Sequence, residues 1–116
     1  MTERNKEILL KGNAAITAGN YEAFLDLCTE DTRWEFVGER ILSGKDAIRE
    51  YMAEFYIEPP KFDVIQFIEE GNFLSVIGEI HLKEGANWVE YFYCDVWRFE
   101  NGLMAELHGY VIKKQK

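Results

Sequence analysis

Residues Trp88–Ile112 read WVEYFYCDVWRFENGLMAELHGYVI, and the pattern of this stretch decides the fold. Side chains alternate in character up to Phe99. The chain then reaches Asn101-Gly102, and alternation resumes as far as Ile112. Asn-Gly between two alternating runs predicts a β-hairpin with a tight turn. One parity of the first run carries Tyr91, Tyr93, Asp95, Trp97 and Phe99. The other carries Glu90, Phe92, Cys94, Val96 and Arg98. Neighbouring side chains of a strand point to opposite faces, so Asp95 stands on the more aromatic one, between Tyr93 and Trp97. If that face is interior, a carboxyl has been placed in apolar surroundings. Such a group costs several kcal/mol unless it is paired or protonated.

Working outward, Phe73 to Lys83 predicts a further strand. Leu74, Val76, Gly78, Ile80 and Leu82 fall on one parity, and Ser75, Ile77, Glu79 and His81 on the other. Phe62 to Glu69 predicts the strand before it, joined through Gly71-Asn72. Nearer the N-terminus the apolar period becomes helical. Thr2 to Ala18 predicts a first helix with Ile8, Leu9, Gly12, Ala15 and Ile16 on one face. Asn20 is the expected N-cap of a short second helix, Tyr21 to Cys28. Thr32 to Val37 predicts a strand with Trp34 and Phe36 on one face, and Gly38 to Leu42 a loop. Ser43 is then expected to cap a third helix whose buried face is Ile48, Tyr51, Met52 and Phe55. Pro59-Pro60 ends it. Helices followed by a run of antiparallel strands predict a single α+β domain over residues 1–116. A twisted sheet wrapped around helices leaves a cone with an open mouth, where a ligand would sit.

The composition narrows the partners. The 116 residues carry a net charge of −8, which repels phosphate backbones and anionic lipid and so argues against nucleic-acid and membrane partners. The terminal Lys113-Lys114-Gln115-Lys116 reads as a solvated end. Apolar residues make up 47% and aromatic ones 15%, enough for a core and a lined cavity. No stretch has the length and apolar character of a membrane span, and no leader pattern opens the chain. Cys28 and Cys94 read as small buried hydrophobes, which fits a reduced, cytoplasmic protein. No metal-ligand spacing, phosphate loop or nucleophile elbow occurs, so neither a metal nor a cofactor is expected.

Three segments carry a resemblance to a known family. They are Ala18-Gly19-Asn20 with the short helix and Glu30-Asp31 after it, Ser43-Gly44-Lys45-Asp46-Ala47-Ile48-Arg49, and Asp95 to Phe99 followed by Asn101-Gly102. In this order and spacing they resemble the NTF2-like superfamily, most closely ketosteroid isomerase and the SnoaL-like polyketide cyclases. The resemblance implies a cone-shaped α+β fold, with three N-terminal helices packed on a curved antiparallel sheet. It also implies a deep apolar pocket and a homodimer through the outer sheet face. Asp95 falls where ketosteroid isomerase has its oxyanion-hole aspartic acid, a general example of a carboxyl kept neutral so that it can donate a hydrogen bond. The other familiar positions are vacant: the isomerase base aligns near Phe36 and its tyrosine near Gly12. The acidic residue of the cyclases aligns near Gly109 and Ile112.

The candidate site is therefore Asp95 as catalytic acid or oxyanion donor, with Trp34, Phe36, Tyr51, Phe55, Tyr93 and Trp97 lining a ligand pocket. Tyr51 or Tyr93 would be a second donor, and Gly78 and Gly109 would leave room. Glu35, His81, His108 and Tyr110 are expected to face outward. Ile77, Phe92, Val96, Met104, Tyr110 and Ile112 would form an apolar outer patch suited to a homodimer. Two functions stay open. One is binding of a small apolar molecule, with isomerase- or cyclase-like acid/base chemistry through Asp95. The other is a non-catalytic dimerisation module whose pocket is filled by its own aromatic rings.

Overall fold

The computed structural model describes residues 2–115, with side chains from Asn5 onward. Its elements are α1 (Thr2–Thr17), α2 (Tyr21–Leu25), β1 (Cys28–Phe36), β2 (Arg40–Ser43) and α3 (Lys45–Phe55). They are followed by β3 (Lys61–Glu70), β4 (Phe73–Glu84), β5 (Asn87–Glu100) and β6 (Leu103–Lys113). The six strands form one sheet in the order β2-β1-β6-β5-β4-β3. The hairpin of β5 and β6 lies at its centre. Its turn places Asn101 at φ 53° and Gly102 at φ 80°. Two positive φ values are what a two-residue hairpin turn of the primed type demands. Opposite the turn, Glu100 pairs with Leu103, and the ladder runs on to Tyr91 and Lys113.

Several expectations are corrected. The sheet is mostly antiparallel, but β1 runs parallel to β6. The third helix follows two strands, and α2 is only five residues long. It ends at Leu25, and Cys28 opens β1 instead of closing the helix, because the Met104 amide bonds the Leu27 carbonyl at 2.9 Å and draws the chain into the sheet. Residues 40–42, read as loop, pair with β1 as part of β2. Ser43 belongs to that strand, and the N-cap of α3 is Gly44, without a side-chain hydrogen bond. Asn20 does cap α2, its Oδ1 accepting from the Ala23 amide at 3.2 Å. Of the basic tail, Lys114 is tied to Glu79 and Glu90, while Lys116 lies outside the described residues.

The core fills the space between the helices and the inner sheet face. Leu9, Phe24, Ile48 and Met52 come from the helices, and Leu74, Val76, Trp97 and Leu107 from the strands. Met104 joins them. It was expected on the outer face but is fully buried. The register shift between Arg98 and Phe99 puts Met104 opposite Phe99, whereas Leu107 pairs with Trp97. One such irregularity reverses the parity of the strand start. Among the described residues no helix is long and apolar enough to cross a membrane.

Candidate functional site

The inner face of the sheet does not fill the cone. A cavity of about 870 Å³ remains beneath the helices. Trp34, Phe36, Tyr51, Phe55, Tyr93, Trp97 and Asp95 all line it, so the structure brings the whole predicted set to one place. The rings form a connected wall. Trp34 meets Phe36, Tyr51 and Trp97 edge-on at 5.9, 6.3 and 6.2 Å between centroids. Tyr51 packs tilted on Phe55 at 4.7 Å. Phe55 itself is half exposed and belongs to the mouth.

Asp95 sits at the floor of this space. It keeps some accessible surface because it lines the cavity, yet protein atoms are dense around it. For ionisation the surroundings decide, since confined cavity water solvates a carboxylate far less well than bulk water. Among the described residues it has neither a hydrogen-bond donor nor a cation as partner, and burial alone pushes its pKa from 3.8 up to about 7. Gly109 is its cross-strand neighbour. A Cβ there would stand 3.2 Å from Asp95 Oδ1 and 3.5 Å from the Phe36 ring. The missing side chain at position 109 keeps the carboxyl reachable.

Gly78 works differently from expectation. A Cβ there would meet the Asp63 carbonyl at 2.5 Å and the Tyr93 ring at 3.0 Å. Its space is taken by Tyr93 and the neighbouring backbone, not left for a ligand. Gly12, where the isomerase tyrosine would stand, is likewise packed by Met104 and Phe24 at 3.1 Å. A side chain reaching from that point of α1 would displace both. The Tyr93 hydroxyl and the Trp34 indole N–H are sealed from water without a partner.

Of the residues expected outward, Glu35, His81, His108 and Tyr110 are so placed and Met104 is not. His108 lies 3.6 Å from Glu35, and His81 lies 3.4 Å from Glu90. Sequence reasoning missed two features. Tyr56, directly after α3, is buried and lines the cavity. Arg40, read as loop, lies at the mouth with its guanidinium 5.5 Å from the Tyr51 ring centre and 5.0 Å from that of Phe55. A tyrosine ahead of Glu58-Pro59-Pro60 carries no period that would have singled it out. Among the described residues no group of His, Cys, Asp and Glu is arranged to hold a metal ion.

Fold and cavity define a cone-shaped α+β domain with an aromatic pocket around one buried carboxyl. The SnoaL-like domain model matches residues 11–107, and the chain belongs to that family. No curated protein matches it. Solved structures resemble it closely in fold at low identity. Bal32a, from a soil-derived mobile gene cassette, is 20% identical, with 94% of this chain and 89% of that one covered and a TM-score of 0.83. SalBIII, an epoxide hydrolase/cyclase-like enzyme in pyran ring formation in the polyether salinomycin, is 18% identical over 95% and 92%, with a TM-score of 0.87. A putative ketosteroid isomerase from Kribbella flavida DSM 17836 is 16% identical over 98% and 82%, with a TM-score of 0.78.

Proposed function

We propose that this chain binds a small apolar carbonyl compound in the cone, and that neutral Asp95 polarises its oxygen in isomerase- or cyclase-like fashion. The observation that carries the reading is an unpaired carboxyl with a pKa of about 7 on the floor of an aromatic cavity. A protonated carboxyl donates a hydrogen bond to a carbonyl, and the bond strengthens as negative charge develops there. A pKa near neutrality also suits acid/base work. Trp34, Phe36, Tyr51, Phe55, Tyr93 and Trp97 supply the apolar walls. The other carboxylates lining the cavity, Glu39, Glu54, Glu58 and Glu84, are exposed at its mouth, so binding and polarisation are better supported than a complete proton shuttle. Solved neighbours described as a cyclase-like enzyme and an isomerase lend support to small-molecule chemistry in this fold.

The competing reading, a structural module filled by its own rings, is at odds with about 870 Å³ of open space. A homodimer through the outer sheet face belongs to our reading, as do the absence of a cofactor and a reducing cytoplasmic setting for the free thiols Cys28 and Cys94. The test is a carbon-detected NMR titration of the Asp95 carboxyl. A midpoint near 7 is expected. A midpoint near that of a free aspartate, about 3.9, overturns the neutral-donor role.

A further inference from the structure

The register of the sheet sets Asp95 in a frame of rings. Phe36 on β1 pairs with Gly109 on β6, and Gly109 pairs with Asp95 on β5, so ring and carboxyl share one row with no side chain between them. The position a Cβ would take at Gly109 is 3.2 Å from Asp95 Oδ1 and 3.5 Å from the Phe36 ring, so the two converge on that gap. Tyr93 and Trp97 flank Asp95 two residues away on the same face of β5, and both line the cavity with it. From Trp97 the wall continues outward through Trp34, 6.2 Å away between centroids, to Tyr51. At its outer end a cation already uses this wall. The Arg40 guanidinium lies over the rings of Tyr51 and Phe55, at 5.5 and 5.0 Å from their centres. Arg33, Arg49 and Arg98 are bonded to carboxylates, whereas Arg40 lies on rings.

Ring faces are electron-rich and attract cations, the more so where water is excluded. A carboxylate framed by rings adds a full negative charge. Among the described residues Tyr93 and Cys94 on β5 and Tyr56 after α3 are the titratable groups within electrostatic reach of Asp95. Burial first, and the Asp95 charge after it, raises the pKa of all three, so they are neutral at pH 7 and offer it no counter-charge. The charged side chains lie at the mouth. There the carboxylates of Glu39, Glu54, Glu58 and Glu84 outnumber the cations of Arg40 and Lys83. The Lys83 ammonium is itself drawn to the Trp88 ring, at 5.4 Å. An entrance of negative sign concentrates cations from solution.

We propose that the cavity takes a second class of ligand, a cyclic organic ammonium ion whose charged nitrogen pairs with ionised Asp95 inside the frame of Phe36, Tyr93 and Trp97. This goes beyond the carbonyl reading, in which Asp95 is neutral, and a single proton separates the two states. A cation binds only the ionised carboxyl, so its affinity rises with pH until Asp95 is fully ionised.

The test compares 1-aminotetralin, protonated at pH 5.5 and at pH 8, with tetralin, the same bicycle without the nitrogen. Affinities are measured at both pH values, by calorimetry or tryptophan fluorescence, on the unaltered protein and on Asp95→Asn. Ammonium affinity for the unaltered protein is expected to rise about thirtyfold, the gain in ionised fraction of a group titrating at about 7, while tetralin affinity does not rise. In Asp95→Asn the rise is expected to vanish, and retained tetralin binding shows that the variant folds. Calorimetry of the unaltered protein at pH 7, in two buffers of different ionisation heat, gives an independent reading. Ammonium binding there is expected to release about half a proton. No rise with pH, a rise that persists in Asp95→Asn, or no proton release overturns the assignment to Asp95. Tetralin binding without ammonium binding overturns the second ligand class and leaves the pocket reading standing. 1-Tetralone, measured alongside, tests the carbonyl reading separately, and failure of all three compounds to bind overturns both.

Discussion

At the scale of single residues the molecule turns on the ionisation of Asp95. Its folded pKa of about 7 lies above the ordinary 3.8. Between those values the folded chain holds a proton that the unfolded chain has released. Stability is therefore undiminished below about pH 4, falls as pH rises toward 7, and is flat beyond. The interval corresponds to at most ~4 kcal/mol, and cavity water lowers it, so about 2 kcal/mol is the expected loss. Asp95→Asn removes the ionisation. Urea denaturation should show the variant about 2 kcal/mol more stable than the parent at pH 8 and nearly equal to it at pH 4. Equal stability at both values would mean that the carboxyl is well solvated after all. Gly109→Ala tests the neighbouring gap. Its methyl group would stand 3.2 Å from the carboxyl oxygen and in contact with Phe36, so it should weaken binding of a small bicyclic ketone such as 1-tetralone about tenfold while the hairpin still forms. Asp95 was legible because strict alternation assigns a face to each residue of β5. Tyr56 was not, because a side chain beyond the last helical turn has its direction set by what packs on it.

At the scale of elements, the irregularity between Arg98 and Phe99 separates pattern from structure. Simple alternation puts Met104 on the same face as Tyr110 and Ile112. The observed register buries it completely, against Gly12 at the centre of α1. Met104→Ala should accordingly cost about 2–4 kcal/mol, the range for a fully enclosed large side chain. An outer-face methionine would cost less than about 0.5 kcal/mol, and chemical denaturation distinguishes the two. The helical stripes of α1 and α3, the Asn20 cap and the Asn-Gly turn were all legible, since each depends on neighbours within a few residues. The early end of α2 and the pairing of β2 were not. Both follow from hydrogen bonds to residues distant in sequence: Met104 holds Leu27, and β1 holds β2 edge to edge.

At the scale of the whole molecule the outer sheet face is the open question, and the proposed homodimer answers it. Phe92 and Ile112 are opposite one another across β5 and β6, and they are 49% and 66% exposed. Tyr110, Ile77 and Val96 extend the same patch. Ion pairs border it, with Arg33, Arg98 and Glu106 on one side and Lys114, Glu79 and Glu90 on the other. Exposed pairs of this kind add little stability, about 0–1 kcal/mol each, but they can set the register of two copies. Sedimentation at micromolar concentration should show a dimer, and Phe92→Glu combined with Ile112→Glu should yield a folded monomer. A monomeric parent protein would refute the interface while leaving the cavity argument intact.

The sequence by itself determined the three helices, five of the six strands, the central hairpin, the face on which Asp95 stands and the rings that accompany it. Those features repeat at short periods or sit at turns, so local sterics and alternation are enough to read them. Only the tertiary structure decided that the rings enclose a cavity instead of filling it, that β1 lies parallel to β6, and that Tyr56 joins the cavity lining. Each of these depends on how far apart helix and sheet come to rest once every side chain between them has been packed, a distance that no local pattern encodes.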